Sequence, residues 1–238
     1  MQIKGSVAFV TGANRGIGKT YVKALLEAGA SKVYAAARNP TSIEAAPGVV
    51  PVKLDVTSAA DIAAAVALAK DVTLVINNAG ISTGNSSEQS RLVNVASLRQ
   101  ELEVNAIGLL EVSLAFSSVL AANGGGAIVN MHSVLSWFNL PSTVSYSASK
   151  AAAWSITNGL RLLLAQQGTQ VVGVHVAFVD TDMTAGINGV SKAMPEEVVR
   201  RVLEGVERGE VEVLADAVSE QIKQNLSNGV YLSPISST

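Results

Sequence analysis

Tyr146 and Lys150 stand four residues apart, Ser133 lies thirteen before the tyrosine, and Gly12, Gly16 and Gly18 crowd together near the amino terminus. Each group points to a kind of chemistry. On a helix, residues i and i+4 share one face, so the phenol and the ammonium would meet. A free tyrosine ionises near pH ~10, and an adjacent ammonium favours the phenolate and brings its acidity toward working pH. Such a pair suits the transfer of a proton to or from an oxygen. Alone, it is equally an ordinary pair on a helix surface. In Thr11-Gly12-Ala13-Asn14-Arg15-Gly16-Ile17-Gly18, Gly12 allows a sharp exit from a strand and Gly16 lets a pyrophosphate approach the backbone. Gly18 then lets the following helix pack close to the sheet, with its first N–H groups turned to the anion. The bland counterpart is a tight strand–helix turn with no ligand.

The surrounding elements have to bring these residues together. Short β-branched runs at 7–10, 32–37, 49–54, 72–76, 127–131 and 171–179 predict buried strands. Helical patterns lie near 17–27, 59–70, 98–120, 146–167 and 196–208, followed by a short strand at 211–214 and a helix near 217–226. Asn123 to Gly126 and Gly168 mark helix ends. This alternation predicts an α/β fold: a doubly wound parallel sheet of about seven strands with helices on both faces, built from residues 1–238 as a single domain. Residues 81–92, polar and Ser-rich, read as a surface loop. Residues 182–195, with Gly186 and Gly189 before Pro195, read as a short mobile lid.

Composition closes off other classes. Of 238 residues, 48% are hydrophobic and 15% charged, which is a folding chain rather than a disordered one. Seventeen basic against nineteen acidic residues leave a net charge of −2, with no positive excess to neutralise a nucleic-acid backbone. Without cysteine there is no disulfide and no thiolate metal site, and two histidines are too few for a histidine zinc cluster. Asp180-Thr181-Asp182 lacks further ligands, so no metal is expected. His132 adjoins Ser133, but neighbouring strand residues point to opposite faces, which argues against a Ser–His hydrolase; both histidines read as structural. The apolar run at 7–10 is too short for a signal-peptide core, and no run approaches the ~18 apolar residues of a membrane span. A cytoplasmic protein with no membrane partner is the expectation.

The spacing T-G-x-x-x-G-x-G at Thr11–Gly18, Asn77-Asn78-Ala79-Gly80 after the fourth strand, and Tyr146-Ser147-Ala148-Ser149-Lys150 on a later helix follow one another in order. With these motifs the chain resembles the short-chain dehydrogenase/reductase family over about residues 5–183. The resemblance implies a Rossmann fold and assigns roles. Tyr146 is the acid/base, and Ser133, at the family's offset from it, hydrogen-bonds the substrate oxygen. Lys150 tunes the tyrosine and binds the nicotinamide ribose, while Asn105 supports a water-linked proton relay. Asn105 also reads simply as a mid-helix residue satisfying nearby backbone.

The implied cofactor contacts are Gly12, Asn14, Arg15, Gly16, Ile17, Gly18, Arg38, Asp55, Val56, Asn78, Ala79, Gly80, Tyr146, Lys150, Val179 and Thr181, with Thr181 on the carboxamide. Asp55 would accept from the adenine amine, or else cap the next helix. The second strand ends Ala37-Arg38, with no acid to face a ribose hydroxyl. Arg38 and Arg15 together suit a 2′-phosphate, and the family pattern implies NADP(H); two solvated surface arginines are the alternative.

Val176-Ala177-Phe178-Val179 stands where the family commonly has Pro-Gly, which shifts the expected seating of the nicotinamide end. Residues 135–140, bulky and apolar, read as a pocket wall or equally as core packing. The implied activity is that of an NADP(H)-dependent carbonyl reductase/alcohol dehydrogenase acting on a hydrophobic ketone, aldehyde or secondary alcohol, assembled as a homodimer or homotetramer. Alternatives are an NAD-preferring dehydrogenase and a non-enzymatic nucleotide sensor, which would have lost the Tyr/Lys pair. A cofactor-free dehalogenase of the same fold would lack the glycine loop and carry arginine for the lysine.

Overall fold

A computed structural model describes residues 1–83 and 94–232. Seven strands form one sheet in the order β3-β2-β1-β4-β5-β6-β7, every pair parallel. They are β1 (Val7–Thr11), β2 (Lys32–Ala37), β3 (Val49–Lys53), β4 (Leu74–Asn77), β5 (Ala127–Met131), β6 (Gln170–His175) and β7 (Glu212–Leu214). The helices are α1 (Gly16–Glu27), α2 (Ala59–Leu68), α3 (Val95–Leu102), α4 (Gly108–Ala122), α5 (Val144–Leu163), α6 (Pro195–Arg208) and α7 (Ala217–Gln224). The strand order reverses between β1 and β4. That switch point opens a crevice at the carboxyl ends of the strands, where ligands of such sheets bind.

Alternation along each strand feeds two cores. Ala8 and Val10 of β1 pack with Tyr21 and Leu25 of α1 and with Val198, Val202 and Val206 of α6. Phe9 faces the other way, onto Phe116 of α4 and the layer holding Ile62, Ala153 and Leu160. Both faces are covered, so the strands need no polar side, and β4, β5 and most of β1 are buried throughout. Helix α6 shows the complementary pattern: Val198, Val199, Val202, Leu203 and Val206 make one apolar stripe, and the helix stops at Gly209, whose φ of 76° few other residues adopt.

Three expectations need correction. The strand expected at 171–179 ends at His175, because its neighbour β7 is only three residues long and the ladder runs out. The helix expected at 98–120 is broken by a π-helical turn, Glu103–Ile107, which sequence periodicity does not reveal. That same continuous stretch, Val95–Ala122, is long and apolar enough to cross a membrane, contrary to the sequence reading; it packs on the sheet, with half of its most apolar window buried. The loop expected at 81–92 lies mostly outside the described residues.

Candidate active site

The glycine loop is held from below by polar side chains. Thr11 Oγ1 accepts from the backbone N–H groups of Asn78 and Ala79 at 3.0 and 2.9 Å. Asn78 Nδ2 donates to the carbonyls of Thr11 and Gly12 at 2.9 and 3.2 Å, tying the end of β1 to that of β4. A Cβ on Gly18 would lie 2.1 Å from the Gly12 carbonyl oxygen, so glycine is required there by close approach. Gly12 sits at φ 65°, in the left-handed region. Helix α1 starts with neither a capping side chain nor an acid in its first turn, which leaves its first N–H groups to an outside anion.

A cavity of about 710 Å³ runs from this loop to the catalytic candidates. Gly12, Asn14, Arg15, Gly16 and Ile17 line one part, with Arg38, Asp55 and Val56; Asn78, Ala79, Gly80, Val179 and Thr181 line the rest, with Ser133, Tyr146 and Lys150. Gly18 lies behind the loop rather than on the wall. Among the described residues Arg15 and Arg38 form no ion pair, whereas Arg200, Arg201 and Arg208 on α6 are all paired with glutamates. The glycine cradle, uncapped helix start and uncommitted arginines fit a phosphorylated dinucleotide. Asp55 caps no helix: Ser58 caps α2, and Asp55 Oδ1 accepts from Thr57 N and Oγ1, which holds its carboxyl below the usual carboxylate range.

Ser133 follows β5 at the head of a short 3-10 turn and accepts from Leu135 N at 3.2 Å. Tyr146 and Lys150 come from the first two turns of α5. The lysine is buried, its Nζ 5.8 Å from the Tyr146 ring centre and donating to the Met131 carbonyl at 2.9 Å. Burial lowers its pKa to about 8. The phenol goes the opposite way from the sequence expectation. Burial and the Glu101 carboxylate push it up to about 12, with only a hydrogen bond to Ser133 opposing them. The ammonium is directed at Met131 instead, which is the physical reason the expected lowering is not seen here.

Asn105 lies in the π-helical turn, fully buried. Its Oδ1 accepts from Ile81 N and its Nδ2 donates to Ile81 O, both at 2.8 Å, and Nδ2 also reaches Ser149 Oγ at 2.9 Å. The segment after β4 is thereby clamped beside the lysine: a Cβ on Gly80 would lie 3.3 Å from Asn105 Oδ1 and 3.6 Å from Lys150 Nζ. Glu101, one turn earlier, was missed from sequence. It is wholly buried and accepts from Thr83 N and Oγ1 at 2.7 and 2.8 Å. Its i,i+4 spacing to Asn105 was the available signal.

Thr181 faces the glycine loop, its Cγ2 3.4 Å from where a Cβ on Gly16 would stand. Val179 pairs with Ala193, closing the base of the 182–195 segment, and Asp182, Met183 and Thr184 line the cavity. Residues 135–140 do not line it. Leu135 and Phe138 pack with Val134 and with Ile222 of α7, so the core alternative describes them. Neither imidazole bonds the Ser133 hydroxyl. His175 stacks on Trp137 at 3.8 Å with its Nδ1 near the Ser133 carbonyl, and burial lowers its pKa to about 3. Among the described residues no group of histidines and acids is arranged to hold a metal.

A family model described as short chain dehydrogenase matches residues 6–191. An uncharacterized oxidoreductase of Staphylococcus aureus is 30% identical over 209 residues, 83% of this chain and 89% of that protein. A 3alpha-hydroxysteroid dehydrogenase of Mediterraneibacter gnavus is 28% identical over 224 residues, 89% of this chain and 86% of that one. Among solved structures, a short chain dehydrogenase from Burkholderia cenocepacia in complex with NADP is 41% identical, covers 98% of this chain and 100% of its own, and superposes with a TM-score of 0.91.

Proposed function

The chain belongs to the short chain dehydrogenase family, and on that premise we propose that it is an NADP(H)-dependent carbonyl reductase/alcohol dehydrogenase acting on a small-molecule ketone, aldehyde or secondary alcohol. The observation that carries this reading is the convergence of Ser133, Tyr146 and Lys150 on one cavity with the glycine cradle. The NADP named for the Burkholderia cenocepacia relative and the two uncommitted arginines support the choice of cofactor. The cofactor would supply or receive hydride; the chain's own residues deal with the oxygen. Ser133 and Tyr146 donate hydrogen bonds to the carbonyl, polarising it and fixing its approach. Tyr146, with a pKa of about 12, holds its proton at neutral pH and releases it to the oxygen as negative charge develops there. Lys150 stands next to it to bind the ribose, and Arg15 and Arg38 grip the 2′-phosphate.

Val176, Ala177, Val179 and Met183 give the cavity an apolar part, which supports a hydrophobic substrate now that residues 135–140 do not. The same reading makes the enzyme cytoplasmic and a homodimer or homotetramer, with exposed Ile107 at the end of the π-helical turn, Leu114 on α4, and Leu162 and Leu163 on α5 as the apolar surface available for assembly. The test is oxidation of NADPH, and of NADH in parallel, with aromatic ketones, aldehydes, diketones and steroids. Turnover that prefers NADPH is expected. Tight NADPH binding without turnover on any class would instead favour a nucleotide sensor.

A further inference from the structure

Past the last rung between β6 and β7, one donor of the site's wall is held from outside the sheet. The Ala215 N–H donates to the His175 carbonyl at 2.9 Å, and there the backbone ladder stops. The next N–H facing that way is Ala177's. It donates to Asp216 Oδ2 at 2.6 Å, so a carboxylate takes the place of the missing carbonyl. Asp216 Oδ1 accepts from Ser219 N, also at 2.6 Å, capping α7. On the other edge of the same segment, the Val134 N–H donates to the Val176 carbonyl at 3.0 Å. Val176 and Ala177 both line the cavity beside Ser133. The segment is therefore gripped from both sides, by the turn that carries Ser133 and by the cap of α7.

We propose that Asp216 is a positioning residue for the nicotinamide end of the site, its second carboxylate oxygen holding Val176–Ala177 against the Ser133 turn. The proposal rests on the cofactor reading above for what occupies that end, and not for the tether itself. Without the tether, no hydrogen bond among the described residues fixes the chain between His175 and the Val179–Ala193 bridge on its β7 side. The glycine cradle and the two arginines, which follow β1 and β2, would be untouched. Losing Asp216 should thus loosen the reacting end of the cofactor and leave the adenosine end alone.

Asp216→Asn separates the two roles. An amide caps a helix as well as a carboxylate does. With its oxygen on Ser219, it turns an NH₂ toward the Ala177 N–H and can no longer accept there. The control is Ser219→Ala, which weakens the cap and leaves the tether. Amide hydrogen exchange at Ala177 in the free protein should be faster in Asp216→Asn by roughly tenfold or more, the scale of a lost charge-assisted bond. Calorimetric affinity for NADPH should fall about five- to thirtyfold. Affinity for 2′-phospho-ADP-ribose, which lacks the nicotinamide, should stay within about twofold of wild type. Unchanged exchange at Ala177 would overturn the proposal, as would equal losses for both nucleotides or the same pattern from Ser219→Ala. If the wild type bound no NADP(H), the cofactor reading would fail by itself, and the exchange measurement would still decide the tether.

Discussion

Replacing Asn105 with leucine keeps the side chain's size and removes three hydrogen bonds at once. Ser149 gives up a donor but keeps its own bond to the Tyr146 carbonyl, so its loss is small. The Ile81 N–H and C=O are both orphaned. A buried unsatisfied group costs ~1–3 kcal/mol, and Ile81 is only half-buried, so each sits in the middle of that range or below. The sum is about 2–4 kcal/mol. Urea unfolding should show it as a lower midpoint with an unchanged m-value. Turnover should fall by at least about tenfold, because the released segment carries Gly80, which abuts Lys150. A stability loss below ~1 kcal/mol would mean that water replaces the clamp freely, and the positional reading of Asn105 would be refuted.

Arg38→Ala should weaken NADPH by roughly ten- to a hundredfold relative to NADH, measured as the ratio of KM values; an unchanged ratio would show that Arg38 reads no phosphate. Lys150 titrates near pH 8 in the folded chain against 10.5 ordinarily, so between those values the unfolded chain holds the extra proton and stability rises with pH. The rise is roughly 3 kcal/mol at most, and unfolding curves at several pH values should lose it in Lys150→Met. Residues 182–195 should be the segment of the free protein most readily cut by protease, and NADP⁺ with a substrate analogue should slow the cut; cleavage indifferent to ligand would make it an ordinary loop.

The sheet, its order of helices and the glycine loop were legible because local signals agree there: β-branched runs, glycines where the backbone must turn, and a parallel alternation that admits few topologies. The Tyr146–Lys150 pair was legible for a similar reason, being four residues apart on one helix. What sequence did not show depends on distance across the fold. Glu101 looks like one more charge on a helix until α3 buries it near Tyr146, and it then helps reverse the expected shift of the phenol. Residues 135–140 have the composition of a pocket wall, and it takes the docking of Ala177, Tyr146 and Ile222, all distant in sequence or on other elements, to make Leu135 and Phe138 core. The π-helical turn that carries Asn105 has no composition of its own. Asp216 drew no notice in the sequence: its capping bond is local, but its second bond depends on where β7 ends.

In the proposed reaction Tyr146 passes a proton to the substrate oxygen while other residues of the cavity hold the cofactor. Single-turnover reduction by Tyr146→Phe, with NADPH affinity measured on the same protein, tests it most directly. The affinity should stay close to that of the wild type, since the phenol's oxygen is needed where charge develops, and the reduction rate should fall by ~10²–10⁴-fold. A variant that keeps more than about a tenth of the wild-type rate, or one whose loss lies wholly in cofactor affinity, would contradict it.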